Sequence, residues 1–332
     1  MNLSILDQSP ITKGKTANDA FKASLELAQV GEQLGYKRYW VTEHHDLAGL
    51  ASTAPEVLLS FIGAKTETIR LGAGAVLLPH YRPYKIAEVY NTLAVLFPER
   101  IDLGIGRAPG GSAEATMALS TNYLEQVRRL PESLEELLHF LNNNFPKDHM
   151  FSKVTAAPVP LVSPDPWILG TSEKSAILAA KHGLSYAYGH FMSDKDGLPI
   201  IKRYMDSFQP PVKLSSPKVI LTVSVICAET SERAEELALS SFVAKIQSEK
   251  GEKIPSLPSV EEAKHYPFTS EDDLTIQNER QKMVIGNPKE VKQQLFNLQR
   301  DYHADEIMIN TITPEYEDRL NSYSLIAESS LN

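Results

Sequence analysis

The amino-acid sequence predicts an α/β fold, a (β/α)8 TIM barrel with insertions, from three observations. Short apolar stretches alternate with longer amphipathic ones along the chain. The short stretches are apolar throughout, which is typical of parallel strands covered by helices. Eight such stretches can be counted, and eight strands close a barrel. A doubly wound open sheet built from the same units is the alternative.

The eight predicted strands cover residues 3–7, 38–42, 69–78, 101–106, 167–170, 184–191, 218–227 and 305–310. The first helix follows strand one. Thr16 and Asp19 form a capping-box pattern at its start, and Gly35 fits the position just past its end. Further helices are predicted over residues 54–65, 84–97, 175–182, 231–246 and 288–300. We assign residues 1–332 to a single barrel domain.

Two segments interrupt this alternation. Residues 120–165 contain Pro131 and a run of three asparagines, and several prolines follow. Residues 249–282 are polar and carry three more prolines. Long loops in compact domains are often functional. The second segment follows the seventh strand, so we interpret it as a candidate mobile lid over the active-site face, with a plain insertion as the alternative.

Composition narrows the functional classes. The net charge is −9, and this diffuse acidic balance disfavours nucleic acid as a partner. No stretch approaches the roughly 20 apolar residues of a membrane span. The start MNLSILDQSP lacks the blocks of a signal peptide. We therefore expect a cytoplasmic protein with no membrane partner. The single cysteine excludes a disulfide framework within the chain.

Strand two ends in three ionisable residues, Glu43, His44 and His45. In a barrel, catalytic groups lie at the C-terminal ends of strands. Because side chains alternate along a strand, Glu43 and His45 share one side and His44 takes the other. An imidazole at the barrel mouth could act as an acid or base. A metal site is the alternative for these residue types, but no second cluster follows another strand, so we predict no metal.

Strands three and four end in glycine-rich stretches. Gly72 and Gly74 predict a bulge or a close approach of backbone to a ligand, with tight barrel packing as the alternative. The glycines from Gly104 to Gly110 do not have the dinucleotide spacing, so a Rossmann site is rejected. Arg107 remains at the strand end, where it is a candidate anion clamp.

Strand five leads through Thr171 and Ser172 into a helix whose first turn carries Ser175. A helix N-terminus with free N–H groups and hydroxyls can bind phosphate. Strands four and five are neighbours in a barrel, so Arg107 can reach this helix start. An ordinary serine cap is the alternative.

Strand six ends in an aromatic cluster of Tyr186, Tyr188, His190 and Phe191. Aromatic residues at strand spacing usually belong to a core. Here they reach the barrel mouth, where they could line the site of a flat ring ligand. Together, the strand ends suggest a site for an aromatic ring that carries a phosphate.

Four stretches in order resemble the bacterial luciferase-like family of flavin-dependent monooxygenases over nearly the whole chain. They are RYWVTEHH at 38–45, LGAGAVLLPHYRP at 71–83, ERIDLGIGRAPG at 99–110, and the helix that follows GTS at 170–172. The family fold is a (β/α)8 barrel, in agreement with the strand count. The resemblance is closer to generic members than to a light-emitting subunit.

The resemblance implies a monooxygenase that uses reduced FMN and O2, through a C4a-peroxyflavin, to oxidise a small organic substrate such as an aldehyde. It implies that His44 is the catalytic histidine, oriented by Glu43 or His45. It implies that Gly74 and Ala75 are joined by a cis peptide under the flavin ring. Phosphate contacts fall to Arg107, Thr171, Ser172 and Ser175. Two alternatives stay open: hydride transfer with F420, and a non-catalytic flavin-binding subunit of a dimer.

The resemblance also implies partners. No nicotinamide motif is present, so a separate flavin reductase is expected to supply the reduced FMN. Family members pair as dimers, and the helices over residues 54–65 and 84–97 are the candidates for a homodimer interface. Two departures disfavour light emission, because Gly106 replaces a reactive cysteine of the light-emitting subunit and Thr171 replaces an acidic residue.

Overall fold

A computed structural model describes residues 1–210, 216–252 and 254–331. Within these ranges the chain forms nine strands: β1 Leu3–Asp7, β2 Arg38–Val41, β3 Arg70–Leu77, β4 Ile101–Gly106, β5 Asp165–Gly170, β6 Ser185–Gly189, β7 Val219–Cys227, β8 Met283–Gly286 and β9 Glu306–Asn310. The α-helices of the same ranges are α1 Ala17–Gln33, α2 Pro55–Gly63, α3 Pro83–Leu96, α4 Ala113–Leu119, α5 Tyr123–Arg128, α6 Leu130–Asn142, α7 Glu173–Lys181, α8 Leu198–Ser207, α9 Ser231–Glu249, α10 Val260–Lys264, α11 Asp272–Gln281, α12 Pro288–Asp301 and α13 Tyr316–Ser330.

The predicted barrel is confirmed, and the open sheet is excluded. Strands β1 to β7 pair in sequence order, and β9 pairs with both β7 and β1, so that eight parallel strands close a ring. The strand count itself needs one correction. The sequence-based prediction missed β8, a ninth strand that pairs with the C-terminal half of β7. Its four residues follow a polar segment and were too few to stand out.

Charged side chains fill the bottom of the barrel interior. Inward and outward residues alternate along β2, so Arg38 and Trp40 face inward while Tyr39 joins the outer core. Arg38 Nη1 lies 2.7 Å from Asp102 Oδ2, and its Nε lies 2.6 Å from Glu306 Oε1. We call Arg38, Arg70, Asp102 and Glu306 the barrel floor. Above it lies an apolar layer of Leu6, Trp40, Trp167, Ala187, Ile220 and Met308.

The helix prediction holds where amphipathic spacing was clear. Thr16 and Asp19 form the expected capping box on α1, and Gly35 has a φ of +86° just past the helix end. The structure adds helices that were not predicted. The most informative is α6 in the segment of residues 120–165. Pro131 lies in its first turn, where a missing N–H removes no helical hydrogen bond.

The segment of residues 249–282 contains α10 and α11, which pack against α9. Lys264 and Arg280 form ion pairs with Glu236 and Glu235 of that helix. The segment also approaches the barrel mouth, since a Cβ at Gly49 in the loop after β2 would lie 3.3 Å from the Pro255 carbonyl oxygen. The lid role of this segment stays a prediction. No helix in the described ranges has the length and apolar character of a membrane span.

Candidate active site

A cavity of about 480 Å³ opens at the C-terminal ends of the barrel strands. Its walls come from β1 to β7 and β9 and from the residues that follow them. Six of the ten predicted site residues line it, namely Glu43, His44, Gly74, Ala75, Arg107 and Thr171. The strand ends therefore bring most of the predicted site together. The four remaining residues, His45, Ser172, Ser175 and His190, lie outside the lining of this cavity.

Glu43 is a buried anchor of the loop that follows β2. Only 4% of the residue is exposed. Its Oε1 accepts a hydrogen bond from the Tyr81 hydroxyl at 2.6 Å and lies 2.9 Å from His45 Nε2. Its Oε2 accepts the Leu77 N–H at 3.0 Å. Glu43 and His45 thus join this loop to the end of β3, and the carboxylate has no free oxygen for further chemistry.

His44 has a different environment. Its backbone N–H donates to the Ser52 carbonyl, and its imidazole Nδ1 lies 2.9 Å from Thr42 Oγ1. Burial, with a smaller contribution from the neighbouring His45, lowers the pKa of His44 to about 4. The imidazole is therefore neutral at pH 7. Because Nδ1 is engaged by Thr42, proton exchange with a ligand in the cavity falls to Nε2.

The glycines of β3 and β4 form one wall of the cavity. The β3–β4 register shifts between Ala73 and Val76, which confirms the predicted bulge, and the Gly74–Ala75 peptide is cis. A Cβ at Gly74 would lie 2.7 Å from Leu6 Cδ1, and one at Gly106 would lie 3.0 Å from Ala75 Cβ. Larger residues at these two positions would meet their neighbours, so the wall consists of backbone with few side chains.

Arg107 and the start of α7 meet beside this wall. Arg107 Nη2 donates to Ser172 Oγ at 3.3 Å. Ser172 and Ser175 form a reciprocal capping box, and Ser175 Oγ also lies 3.0 Å from the Tyr186 hydroxyl. The serine-cap alternative is therefore present in the structure. A phosphate role for these residues stays a prediction, which the adjacent guanidinium supports.

A second cavity of about 570 Å³ adjoins the first at Gly106, Arg107 and Leu169. It extends along α7 and is lined by Lys174 and Ser175. The helix start thus lies where the two cavities adjoin. A ligand with an anionic group at this junction could extend its remaining part into the first cavity.

The aromatic cluster after β6 divides between core and cavity. Tyr186 and Tyr188 are fully buried in the main hydrophobic core. Phe191 lines the first cavity. His190 faces Tyr302, with ring centroids 5.5 Å apart. The short 3-10 turn that begins at His190 directs its ring away from the cavity lining, so a flavin contact by His190 stays a prediction.

The sequence-based prediction did not identify several residues of the cavity. Gln8 directly follows β1 and lines the cavity, as do Thr222 of β7 and Met308 of β9. Tyr123 of α5 stacks on His80 and donates from its hydroxyl to the Arg107 carbonyl at 2.6 Å. The position of Gln8 at a strand end was the one available signal. Among the described residues, no three His, Cys, Asp or Glu side chains are grouped as a metal site.

The site fits a flavin mononucleotide in three respects. The cavity volume lies within the range of small-molecule sites. Gly74 and Gly106 line the cavity without side chains, so its wall there is backbone, against which a flat ring can lie. Arg107 has no acidic partner among the described ion pairs, and it stands beside the N-terminus of α7, where an anion is favoured.

Comparison with known proteins gives a consistent result. The family model described as luciferase-like monooxygenase matches residues 1–303. The chain is 44% identical to YceB of Bacillus subtilis, with 99% of each chain covered. It is 37% identical to the N-acetyl-S-alkylcysteine monooxygenase of Bacillus subtilis, over 100% of this chain and 98% of that protein.

Solved structures agree with these relatives. The crystal structure of apo-MsnO8 matches with a TM-score of 0.90 and 35% identity, over 99% of this chain and 97% of that one. The oxygenating constituent of 3,6-diketocamphane monooxygenase from Pseudomonas putida, in complex with FMN, has a TM-score of 0.72 at 18% identity, over 99% and 97% of the two chains. An F420-dependent secondary alcohol dehydrogenase has a TM-score of 0.63 at 13% identity, over 99% and 98%. The last two show the fold alone.

Proposed function

The chain belongs to the luciferase-like monooxygenase family, and on that premise we propose that it uses reduced FMN and O2 to oxidise a small organic substrate such as an aldehyde. One observation carries the proposal. His44, a neutral imidazole, and Arg107 line the same cavity. Arg107 also bonds to the start of α7, where this cavity adjoins the second one.

The residues divide into two groups. Arg107, Thr171, Ser172 and Ser175 would hold the FMN phosphate, since they combine a guanidinium, hydroxyls and helix N–H groups. Gly74 and Ala75, which form part of the cavity wall, would lie against the ring. Bound reduced FMN supplies the electrons that activate O2.

His44 is the proton donor and acceptor of the site. The hydrogen bond to Thr42 holds its ring, and Nε2 is the atom that gives or takes a proton. Glu43 and His45 act as positioning residues, because their mutual bond fixes the loop that carries His44. The apolar walls exclude water, which would otherwise divert the oxidising power of the site.

The partners of the proposal follow from the same site. A separate flavin reductase would provide reduced FMN. A homodimer would cover the apolar residues that α2 and α3 expose, namely Val57, Phe61, Val95 and Leu96. The 249–282 segment would serve as a lid over the mouth. A cytoplasmic location is part of the same proposal.

The test is oxygen-isotope incorporation. The purified chain is supplied with FMN, NADH, a flavin reductase and ¹⁸O₂, together with a panel of aliphatic aldehydes and thioethers. We expect one ¹⁸O atom in each product molecule and a large loss of product with His44→Gln. A reductase reaction that lacks the chain is the control, because free reduced FMN also consumes O2.

Two outcomes would redirect the proposal. Anaerobic reduction of F420 by an alcohol, with no labelled product from FMN, would favour the F420 alternative. FMN binding without turnover of any member of the panel, together with a tight complex with a related chain, would favour a non-catalytic subunit.

A further inference from the structure

We propose that the active-site cavity selects an uncharged, largely apolar substrate whose hydrogen-bonding group is held by Gln8 and Thr222. This inference rests on the proposed function, because it concerns the substrate of the same site. It names a substrate class and two specificity-determining residues. Four observations lead to it: the charges of the residues that line the cavity, the unpaired side-chain amide of Gln8, the unpaired hydroxyl of Thr222, and the apolar surface around these two residues.

The charges of the lining leave an ionic substrate without a partner. Among the described residues that line the cavity, Arg107 is the one permanently cationic side chain, and its place is beside the α7 start. His44 is neutral at pH 7, since burial lowers its pKa to about 4. Glu43 already receives three hydrogen bonds. A carboxylate or ammonium group would lose its hydration here and gain no counter-ion.

Gln8 is held at a fixed place on the wall. It is flanked by Asp7 and Ser9, both buried, and Asp7 accepts the Ser9 N–H at 2.6 Å and an Arg319 N–H at 2.5 Å. These bonds fix the backbone on both sides of Gln8. Gln8 lines the cavity, and its side-chain amide has no hydrogen-bond partner in the described part of the chain. The amide offers one acceptor and two donor hydrogens to a ligand.

Thr222 is the second polar group of this wall. It points inward from β7 in register with Met308 of β9, and only 5% of the residue is exposed. Thr222 lines the cavity, and its hydroxyl makes no hydrogen bond within the residues that the structure describes. Buried polar groups are usually paired, so an unpaired hydroxyl that faces a cavity indicates a ligand atom as its partner.

The two polar groups flank one apolar strand. β9 lies between β1 and β7, and Leu6 and Ile220 belong to one inner layer of the barrel, so Gln8 and Thr222, each two residues further along, face the cavity from one level. Two strand spacings alone amount to about 10 Å, and Gln8 lies four residues beyond the β1 residue in register with Thr222, so a substrate that meets both side chains must lie in the cavity between them. The cavity is otherwise lined here by Leu6, Phe191 and other apolar residues. An aliphatic or aromatic body with one carbonyl, hydroxyl or similar neutral group matches this surface.

The test uses three probes with one shape, namely 1-hexanol, hexanoate and hexane, titrated by calorimetry into the FMN-saturated protein at pH 7. We expect hexanol to bind at least about tenfold more tightly than hexanoate and more tightly than hexane. Gln8→Leu should weaken hexanol binding by about tenfold, which corresponds to the loss of one neutral hydrogen bond, and leave FMN affinity unchanged.

Two further variants keep the result interpretable. Thr222→Val preserves shape and removes the hydroxyl, so it tests the same wall if Gln8→Leu does not fold. Gln277→Leu is the matched control, because Gln277 is exposed on α11 and lies outside the cavity lining. Equal or tighter binding of hexanoate, no binding of hexanol, or hexanol affinity unchanged in both wall variants would overturn the inference.

The titrations also separate this inference from the proposed function. If the protein does not bind FMN, the proposed function fails. The preference for hexanol over hexanoate, measured in the FMN-free protein, then still decides whether the cavity wall selects an uncharged ligand.

Discussion

The floor and the mouth of the barrel both carry charged and polar side chains, but their bonding differs. On the floor, Arg38 bridges Asp102 and Glu306, and Asp102 also accepts from Arg70 and from Trp40 Nε1 at 2.9 Å. Each buried charge there has several partners inside the protein. At the mouth, the same chain leaves side chains with free hydrogen-bonding capacity.

The mouth shows this difference residue by residue. Arg107 bonds to Ser172 Oγ and pairs with no acid among the described residues, while Gln8 and Thr222 have no partner there. His44 is half-buried and has no ion-pair partner among the described residues. Saturated bonding indicates a structural role, and unsaturated bonding indicates a ligand. The predictions below test this division, first by its effect on stability.

The largest effect is expected on the floor. Arg38→Met removes one guanidinium and leaves the carboxylates of Asp102 and Glu306 buried with fewer partners. We expect the free energy of unfolding to fall by about 3–5 kcal/mol, as when one member of a buried ion pair is removed. Urea unfolding followed by circular dichroism measures it.

The matched control is the same substitution at the mouth. Arg107 is exposed, so Arg107→Met should change the free energy of unfolding by less than about 0.5 kcal/mol. Adding Glu306→Gln to Arg38→Met should restore part of the lost stability, because it removes a buried charge that keeps Ser4 and Lys37 as partners but has lost the guanidinium. Similar losses for the two arginine variants would contradict the division between floor and mouth.

The next effect concerns His44 in acid. Burial, and secondarily His45, lowers the pKa of His44 to about 4, whereas a histidine in the unfolded chain titrates near the ordinary value of 6.5. Between these values the unfolded chain binds a proton that the folded protein does not. Stability should therefore fall as the pH drops from 6.5 to 4, by up to about 3 kcal/mol from this residue.

His44→Gln removes this contribution. Urea midpoints of the two proteins should run parallel above pH 6.5, and the wild type should lose more stability than the variant below it. Parallel behaviour over the whole range would show that His44 is solvated, and its assignment as a neutral proton donor and acceptor would fail.

The regions whose polar groups are all hydrogen-bonded within the protein could be predicted from the sequence better than the regions with unpaired polar groups. Strands that are buried on both faces are apolar throughout, so all eight barrel strands, β1 to β7 and β9, could be predicted from the chain in their order. Polar residues that end such strands, His44 and Arg107 among them, could be recognised as residues of the mouth. The strand β8 was missed because its four residues are too few to show a strand pattern. The helix α6 was missed because the proline in its first turn is also typical of a loop.

Other features depend on geometry that no local pattern encodes. Thr222 lies within an apolar strand, and only the closed ring shows that its hydroxyl faces a cavity. His190 follows a strand end just as His44 does, but a 3-10 turn directs it toward Tyr302. Which side a residue takes after a strand ends depends on the turn, and spacing alone does not determine it.

A smaller effect is expected on cofactor affinity at the mouth. Arg107→Met should weaken FMN binding by about 10- to 100-fold, the range for a hydrogen bond to a charged group. Riboflavin, which has no phosphate, should bind the variant and the wild type equally. Fluorescence titration of both flavins measures it. A parallel loss for riboflavin would place Arg107 against the ring and would remove the phosphate assignment.

The smallest effect is expected in the cavity wall that β3 and β4 form. Gly106→Ala would place a methyl 3.0 Å from Ala75 Cβ and 3.5 Å from Leu77 Cδ2, contacts that require a slight displacement of both side chains. We expect the free energy of unfolding to fall by about 1 kcal/mol, with FMN affinity reduced less than by Arg107→Met. Combining Gly106→Ala with Ala75→Gly should restore stability, because it removes the nearer methyl. If Gly106→Ala alone changes neither the free energy of unfolding nor the FMN affinity, the neighbouring side chains can move to accept a methyl group. Close packing would then not be the reason for a glycine at position 106.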